Sequence, residues 1–255
     1  MILIAGPCVI ENENVLEEAA DYLTNAIEGE DINFYFKASA VKDNRTKKEN
    51  YSGIGMEKGV SMLLDVKRRW GVKITTDFHT DIDIMRYGGF VDLIQIPAYL
   101  AQQTSMIKAA AGMNKPIHIK KPQFLGPIEA SQPVKKYRDF GSKNDVILTD
   151  RGTMFGYNQT IFDPRHIPIM LDSGANYVLA DVTHPNKNYP GDVFENIVVL
   201  AKSAIVAGAS GIFIETHPNC NEALCDGKTM LPLEHIEGFL EEVYSLWRRE
   251  NEITT

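Results

Sequence analysis

Ionisable residues recur directly behind short apolar runs throughout the 255-residue sequence. Six of those behind the second, fifth and sixth runs are basic, although the net charge of the chain is −8. They are Lys37, Lys42, Arg45, Lys120, Lys121 and Arg151. Lysine and arginine form charge-assisted hydrogen bonds to phosphate and carboxylate groups. Six cations exceed the need of one monophosphate, so this group predicts substrates that carry two phosphates, or a phosphate and a carboxylate.

A second set of residues has the side chains of a metal site. Its members are Cys8, His184, Glu215 and Asp226. A thiolate, an imidazole and two carboxylates favour zinc, iron or manganese over magnesium and calcium, which prefer oxygen ligands. His217 and Cys225 are alternative ligands from the same part of the chain, and an inert loop thiol is the other interpretation of Cys225.

The elements that must position these residues alternate along the whole chain. Eight apolar or β-branched runs predict strands at residues 2–5, 34–38, 73–76, 93–96, 116–119, 146–149, 177–181 and 211–214. Helical patterns lie between them, among them residues 15–27, 56–70, 104–111, 194–207 and 233–249. Apolar strands separated by helices indicate a parallel sheet covered by helices. Eight such units predict an α/β fold, a single-domain (β/α)8 TIM barrel over residues 1–255.

A doubly wound open sheet is the alternative to this barrel. It is disfavoured because Pro7 stands where a dinucleotide-binding turn requires glycine. In a closed barrel the last strand pairs with the first, so Cys8, His184 and Glu215 come from neighbouring strands. Enzymes of this fold place their chemistry where the strands end. We therefore expect the basic residues and the metal set to share one rim.

Composition excludes several classes of function. A pI near 5.3 argues against a protein that coats nucleic acid or binds an anionic membrane. The longest apolar stretches, such as residues 197–201, are far shorter than the roughly 20 residues that span a bilayer. The first residues, MILIAGPC, lack the basic segment of a signal peptide, and three cysteines are too few for a disulfide framework. These features predict a cytoplasmic protein.

Motifs along nearly the whole chain carry a family resemblance. They are IAGPCVIE (4–11), FKASAVKDNRT (36–46), TTDFH (75–79), LIQIPAYLAQQT (93–104), IKKPQF (119–124), DRGTMFGYN (150–158), DVTH (181–184), IETHPN (214–219) and CDGKTMLPL (225–233). In this order they resemble the 3-deoxy-D-manno-octulosonate 8-phosphate synthases. The related 3-deoxy-D-arabino-heptulosonate 7-phosphate synthases usually carry a K-P-R-T type segment after strand two, whereas KDNRT here is similar to the K-A-N-R-S of the octulosonate enzymes.

The resemblance implies an enzyme that condenses phosphoenolpyruvate with D-arabinose 5-phosphate and water. The products are an eight-carbon keto-acid phosphate and inorganic phosphate, and the two anionic substrates agree with the number of basic residues. The resemblance also implies a homo-oligomer, a tetramer, in which Arg45 is supplied to a neighbouring subunit's site.

Individual roles follow from the same resemblance. The residues for phosphoenolpyruvate are Lys37, Ser39, Lys42, Lys120, Gln123 and Arg151. Those for the aldose phosphate are Asn44, Arg45 and Thr46, and further substrate contacts come from Asp77 and Gln95. Cys8, His184, Glu215 and Asp226 match the ligands of the metal-dependent branch, while the metal-free branch has asparagine at position 8. The catalytic candidates are Lys42, Asp77, His184 and Asp226, with Asp226 either a ligand, a proton acceptor or both.

Two alternatives remain open at this point. Asp43 stands where the family usually has alanine, Thr46 where it has serine and Ile54 where it has proline. Because these departures lie near the aldose-phosphate end, a relative that uses erythrose 4-phosphate is one alternative. The other is a barrel that binds sugar phosphates without catalysis.

Overall fold

The computed structural model describes residues 1–157 and 159–252. Asn158, the last residue of the DRGTMFGYN motif, and residues 253–255 lie outside this description. The strands of the barrel are β1 (Ile2–Gly6), β2 (Asn33–Lys37), β3 (Lys73–Asp77), β4 (Leu93–Ile96), β5 (Ile117–Lys120), β6 (Val146–Asp150), β7 (Tyr177–Asp181) and β8 (Gly211–His217). The helices are α1 (Glu13–Ala26), α2 (Met56–Trp70), α3 (Asp81–Tyr87), α4 (Thr104–Gly112), α5 (Ser131–Asp139), α6 (His166–Leu171), α7 (Val193–Val206) and α8 (Ile236–Glu252).

The strands pair in parallel in chain order and close on themselves. β1 pairs with β2 on one side and with β8 on the other, with Ile2 opposite Gly211 and Gly6 opposite Glu215. Gly6 has a φ of +148°, and a Cβ at this position would lie 2.2 Å from the carbonyl oxygen of Lys37. Only glycine fits this approach. The closed sheet confirms the predicted (β/α)8 barrel.

Helices cover the outside of the sheet, and their periodic apolar residues are buried against it. In α2, Val60, Leu63 and Val66 recur every three residues and are buried. The helix ends at Gly71, which adopts the left-handed conformation that favours glycine after a helix. None of the helices in the described part of the chain has the length and apolar character needed to cross a bilayer.

The observed elements differ from the predicted ones mainly where they are short. Helices α3 and α6 have seven and six residues, too few for a clear helical period. The predicted helix at 233–249 begins only at Ile236, because Leu233–His235 forms a 3-10 turn. A small antiparallel hairpin, Thr153–Met154 with Thr160–Ile161, follows β6 and was not expected from the sequence.

Alternation along the strands places polar residues above an apolar layer inside the barrel. The layer consists of Ile2, Ile4, Tyr35, Leu93, Ile147, Leu179 and Phe213. Residues two positions further along the same strands share the inward face. These residues are Lys37, Gln95, Thr149, Asp181 and Glu215. Inside the barrel, the apolar layer therefore fills the amino-terminal part, and the polar side chains lie at the carboxyl ends of the strands.

Candidate active site

The floor of the site is a buried ion pair between β2 and β8. The ammonium of Lys37 donates to Glu215 Oε1 at 2.8 Å and to the carbonyl oxygen of Cys8 at 2.9 Å. Lys42 Nζ lies 3.9 Å from the same carboxylate oxygen. Although burial acts to raise it, the pKa of Glu215 lies well below its ordinary value because Lys37 and Lys42 are so close. Glu215 is therefore a carboxylate whose charge the protein itself balances.

A second buried group joins β5 to the segment after β7. Lys120 Nζ donates to Asp181 Oδ2 and lies 3.1 Å from the centroid of the Phe213 ring. Burial lowers the pKa of Lys120 to about 8, against the opposing effect of Asp181. His184 Nδ1 lies 2.7 Å from the same Oδ2. Burial also lowers the pKa of His184, so the imidazole is neutral at pH 7 and able to bind a metal.

Two overlapping sets of possible metal ligands meet beside this group. His184, Glu215 and Asp226 form one set and Cys8, Cys225 and Asp226 the other, and within each set the ligand atoms lie within 4.8 Å of one another. Oδ2 of Asp226 is 3.2 Å from both Sγ atoms, which are themselves 2.9 Å apart. Asp226 has a φ of +52°, a conformation that a non-glycine residue adopts only when its surroundings hold it there.

The residues present fit a divalent transition metal. Glu215 Oε2 is buried and has no hydrogen-bond partner in the described part of the chain, so it is available as a ligand. His184 Nδ1 is engaged with Asp181, which leaves Nε2 for coordination. Burial raises the pKa of the Cys8 thiol well above its ordinary value, and a bound cation is what would take the place of this proton.

The basic residues line a narrow cleft directly above the floor. Nine of the residues named from the sequence line it: Lys37, Lys42, Asn44, Asp77, Gln95, Lys120, Arg151, His184 and Glu215. Ser39 is buried behind this wall and donates to Asp77 Oδ1. Arg151 donates to Gln123 Oε1 at 2.8 Å, and the Gln123 amide donates to the Tyr99 hydroxyl at 2.8 Å. Four cations in one cleft suit a small, highly charged anion.

A wider cavity of about 740 Å³ opens beside the cleft. Tyr99, Arg151 and His184 line both spaces, so the two are contiguous. The wall of the cavity also carries Lys187 and Lys228. This arrangement can hold two anionic reactants side by side, with the possible metal ligands at their junction.

Two residues singled out from the sequence, Lys121 and His217, do not reach this cleft. Lys121 is fully buried but faces away from the barrel interior, where it pairs with Asp150 at 3.3 Å and donates to the carbonyl oxygen of Gly152 at 2.9 Å. Its place among the anion-binding cations was therefore wrong, and its role is structural. His217 Nε2 faces Glu11 at 3.4 Å and belongs to neither ligand set among the described residues.

The segment predicted to hold the aldose phosphate lies at the edge of the cleft. Asn44 lines the cleft, while Thr46 is exposed. Arg45 NH1 donates to Cys225 Sγ of its own chain at 2.8 Å. That Arg45 enters the site of a neighbouring subunit remains a prediction.

The sequence analysis assigned no role to Tyr99 or Asp181 and treated Cys225 only as an alternative ligand. Tyr99 stands between the two spaces, and Asp181 connects Lys120 to His184. Cys225, treated as an alternative, brings its sulfur against Cys8. A usable signal existed for Asp181, because it ends a strand three residues before a candidate metal ligand.

Comparison with known proteins identifies the family of this chain. The family model described as the DAHP synthetase I family matches residues 1–250. The chain belongs to the DAHP synthetase I family. Curated relatives in this family carry the name 2-dehydro-3-deoxyphosphooctonate aldolase. The relative from Desulfosudis oleivorans is 40% identical over 96% of this chain and 90% of its own length. The relative from Legionella pneumophila is 40% identical over 95% of this chain and 90% of its own length. That of Syntrophobacter fumaroxidans is 40% identical over 96% of this chain and 87% of the relative.

Proposed function

We propose that this protein condenses phosphoenolpyruvate with D-arabinose 5-phosphate and water, giving 3-deoxy-D-manno-octulosonate 8-phosphate and inorganic phosphate. The observation that carries the proposal is the cationic cleft, which opens into a wider polar cavity beside a set of possible metal ligands. The names of the relatives, with about 40% identity over most of the chain, support the same reaction.

The residues of the cleft would hold two reactants that repel each other. Four cations, Lys37, Lys42, Lys120 and Arg151, would bind the phosphate and carboxylate of phosphoenolpyruvate, and Asp77 would contact the aldose. Bringing both reactants to near-attack distance contributes about 7–11 kcal/mol in favourable cases. The buried partners of these side chains fix their positions before substrate arrives, which reduces the entropy lost on binding.

The metal site would be built from Cys8, His184, Glu215 and Asp226, and zinc, iron or manganese fits this donor set. A divalent cation held there supplies Lewis acidity for the aldehyde oxygen, or orients the attacking water. Cys225 lies close enough to take part. His184 then serves as a ligand with a fixed tautomer, and Asp226 remains the residue able to accept a proton at the junction of the two spaces.

Further proposals concern the protein as a whole. We infer one catalytic domain over residues 1–255, a homotetramer in which Arg45 reaches a neighbouring site, and a cytoplasmic location. Support for the oligomer comes from the resemblance stated above. Support for the location comes from the sparse set of three cysteines, all of them free thiols.

A panel of aldose phosphates tests the proposed reaction. Phosphate release is measured with phosphoenolpyruvate held fixed and with added zinc, iron or manganese. We expect D-arabinose 5-phosphate to give the highest kcat/KM. Preferential turnover of erythrose 4-phosphate would establish the first alternative, and tight binding without phosphate release from any aldose would establish the second.

Loss of Arg151 or Lys120 should weaken phosphoenolpyruvate binding. Each alanine variant leaves a charged oxygen without its partner, at a cost of about 1.5–3 kcal/mol per bond, or roughly ten-fold to a hundred-fold in Kd. Calorimetry with phosphoenolpyruvate measures the change. Arg165→Ala is the control, because Arg165 pairs with Asp163 at an exposed position. Unchanged affinity in both Arg151→Ala and Lys120→Ala would remove these residues from the site.

Phosphoenolpyruvate affinity should also fall as the pH rises through about 8. Lys120 has a pKa of about 8, so it is a cation below this pH and loses its charge above it. The substrate phosphate is fully ionised throughout this range, since its second pKa is about 6. One proton lost by the free protein gives up to a ten-fold loss of affinity per pH unit. In Lys120→Arg this dependence should disappear, because arginine stays charged; an identical pH profile in that variant would contradict the assignment.

A further inference from the structure

The carboxylate of Asp181 has every acceptor direction occupied. Oδ2 accepts from Lys120 Nζ and lies 2.7 Å from His184 Nδ1. Oδ1 accepts the backbone N–H groups of Thr183 and His184, each at 3.0 Å. Asp181 is fully buried, so these partners are not exchanged with bulk water. The two backbone N–H groups therefore hold Oδ1, which leaves Oδ2 directed towards the side chains of Lys120 and His184.

This arrangement determines where the proton of His184 resides. A carboxylate that already accepts from an ammonium offers its oxygen to the ring as an acceptor, so Nδ1 carries the hydrogen. Nε2 then presents its lone pair, and the ligand atoms of Glu215 and Asp226 lie within 4.8 Å of a ring nitrogen of His184. A histidine whose second nitrogen donates to a carboxylate is the usual form of a metal-binding histidine.

We propose that Asp181 is a positioning residue that serves both halves of the site: it fixes the His184 tautomer for the metal and the Lys120 ammonium for phosphoenolpyruvate. The proposal rests on the function proposed above for the cleft. Because one carboxylate holds both groups, metal binding and phosphoenolpyruvate binding are coupled through it. Such coupling is reciprocal, so each ligand changes the affinity of the other by the same factor.

Asp181→Asn separates this role from simple packing. The two backbone N–H groups retain the amide oxygen, so the amide NH2 turns towards Lys120 and His184. Both of these are donors in the native protein. His184 must then accept at Nδ1 and move its hydrogen to Nε2, where a metal can no longer bind, while Lys120 loses its acceptor.

A matched control residue, Asp150, lies on the neighbouring strand β6. Asp150 ends β6 and is also fully buried between a lysine and a histidine, with Lys121 Nζ at 3.3 Å and His166 Nδ1 at 3.0 Å. This group faces away from the barrel interior, since Lys120 and Lys121 are consecutive and point to opposite faces. Asp150→Asn therefore reproduces the loss of a buried carboxylate whose side chain lines neither the cleft nor the wider cavity.

The experiment compares Asp181→Asn and Asp150→Asn with the native protein. Zinc affinity is measured by competition with a chromophoric chelator, and phosphoenolpyruvate affinity by calorimetry on metal-free protein. We expect Asp181→Asn to lose at least ten-fold in both affinities and Asp150→Asn to change each less than two-fold. Native-like affinities in Asp181→Asn, or an equal loss in Asp150→Asn, would overturn the proposal.

A measurement on the native protein covers the case in which Asp181→Asn fails to fold. The nitrogen-15 NMR spectrum of the metal-free protein, with His184 assigned by its absence in His184→Gln, should show the tautomer with hydrogen on Nδ1. Hydrogen on Nε2 alone would overturn the proposal. None of these readouts uses turnover, so failure of the proposed reaction in the aldose panel is a separate result.

Discussion

Exhaustive chelation should abolish condensation by the native protein, and zinc, iron or manganese should restore it. The physical reason lies in the site itself. Glu215 Oε2 is buried without a hydrogen-bond partner in residues 1–157 and 159–252, beside Cys8, His184 and Asp226. A divalent cation would give His184, Glu215 and Asp226 a shared partner, and Asp226 links this set to Cys8. Turnover is followed by phosphate release, and bound metal by elemental analysis.

The cysteine variants test this expectation at one position. Cys8→Ala should lose metal affinity and activity together. Cys8→Asn should retain slow condensation in the presence of chelator, because its amide can hydrogen-bond the oxygen that a metal would otherwise hold. Cys220→Ala is the control, since Cys220 belongs to neither ligand set among the described residues. Full-rate turnover by native protein that contains no detectable metal would contradict the assignment and leave Cys8 as a buried thiol.

Lys37→Met should lower the free energy of unfolding by about 3–5 kcal/mol. Lys37 and Glu215 are each 1% exposed, so removal of the ammonium leaves a buried carboxylate with Lys42 as its nearest cation, 3.9 Å away. Removing one partner of a buried pair costs more than the pair itself contributes, because the remaining charge stays desolvated. Urea unfolding monitored by circular dichroism measures the change.

Two further variants show whether the buried pair is the cause. Lys202→Met breaks an exposed lysine–glutamate pair on the surface and should cost no more than about 1 kcal/mol. Lys37→Met combined with Glu215→Gln removes both buried charges and should recover part of the lost stability. A loss below about 1 kcal/mol in Lys37→Met alone would show that Glu215 is solvated or neutral in the folded protein.

The barrel and the location of the site could be predicted because both depend on local patterns. Continuous apolar runs that end in polar residues are what a strand buried on both sides requires. Each run then places its last residues on the rim, as Lys37, Gln95 and Glu215 illustrate. Their position follows from topology alone, whereas the roles of these residues in catalysis remain proposals.

Other features depend on contacts that the local pattern does not contain. Lys120 and Lys121 are chemically identical neighbours, and only the register of β5 in the closed sheet decides which of them faces inward. Cys225 lies 217 residues from Cys8, and its sulfur reaches the site through the return of a loop that has no periodic signal. Asp181 was visible as a strand end, but its two partners lie on different elements.

Glu215 divides its two oxygens between different kinds of partner. Oε1 is held by lysines of the chain itself, and Oε2 is buried with no hydrogen-bond partner among the described residues. The buried charge is thus neutralised during folding, by residues that are present as soon as the chain is synthesised. Maturation can then proceed in a fixed order, in which the barrel forms first and is loaded afterwards. On the proposed function, the metal-free protein would therefore persist as a folded barrel that can take up the cation.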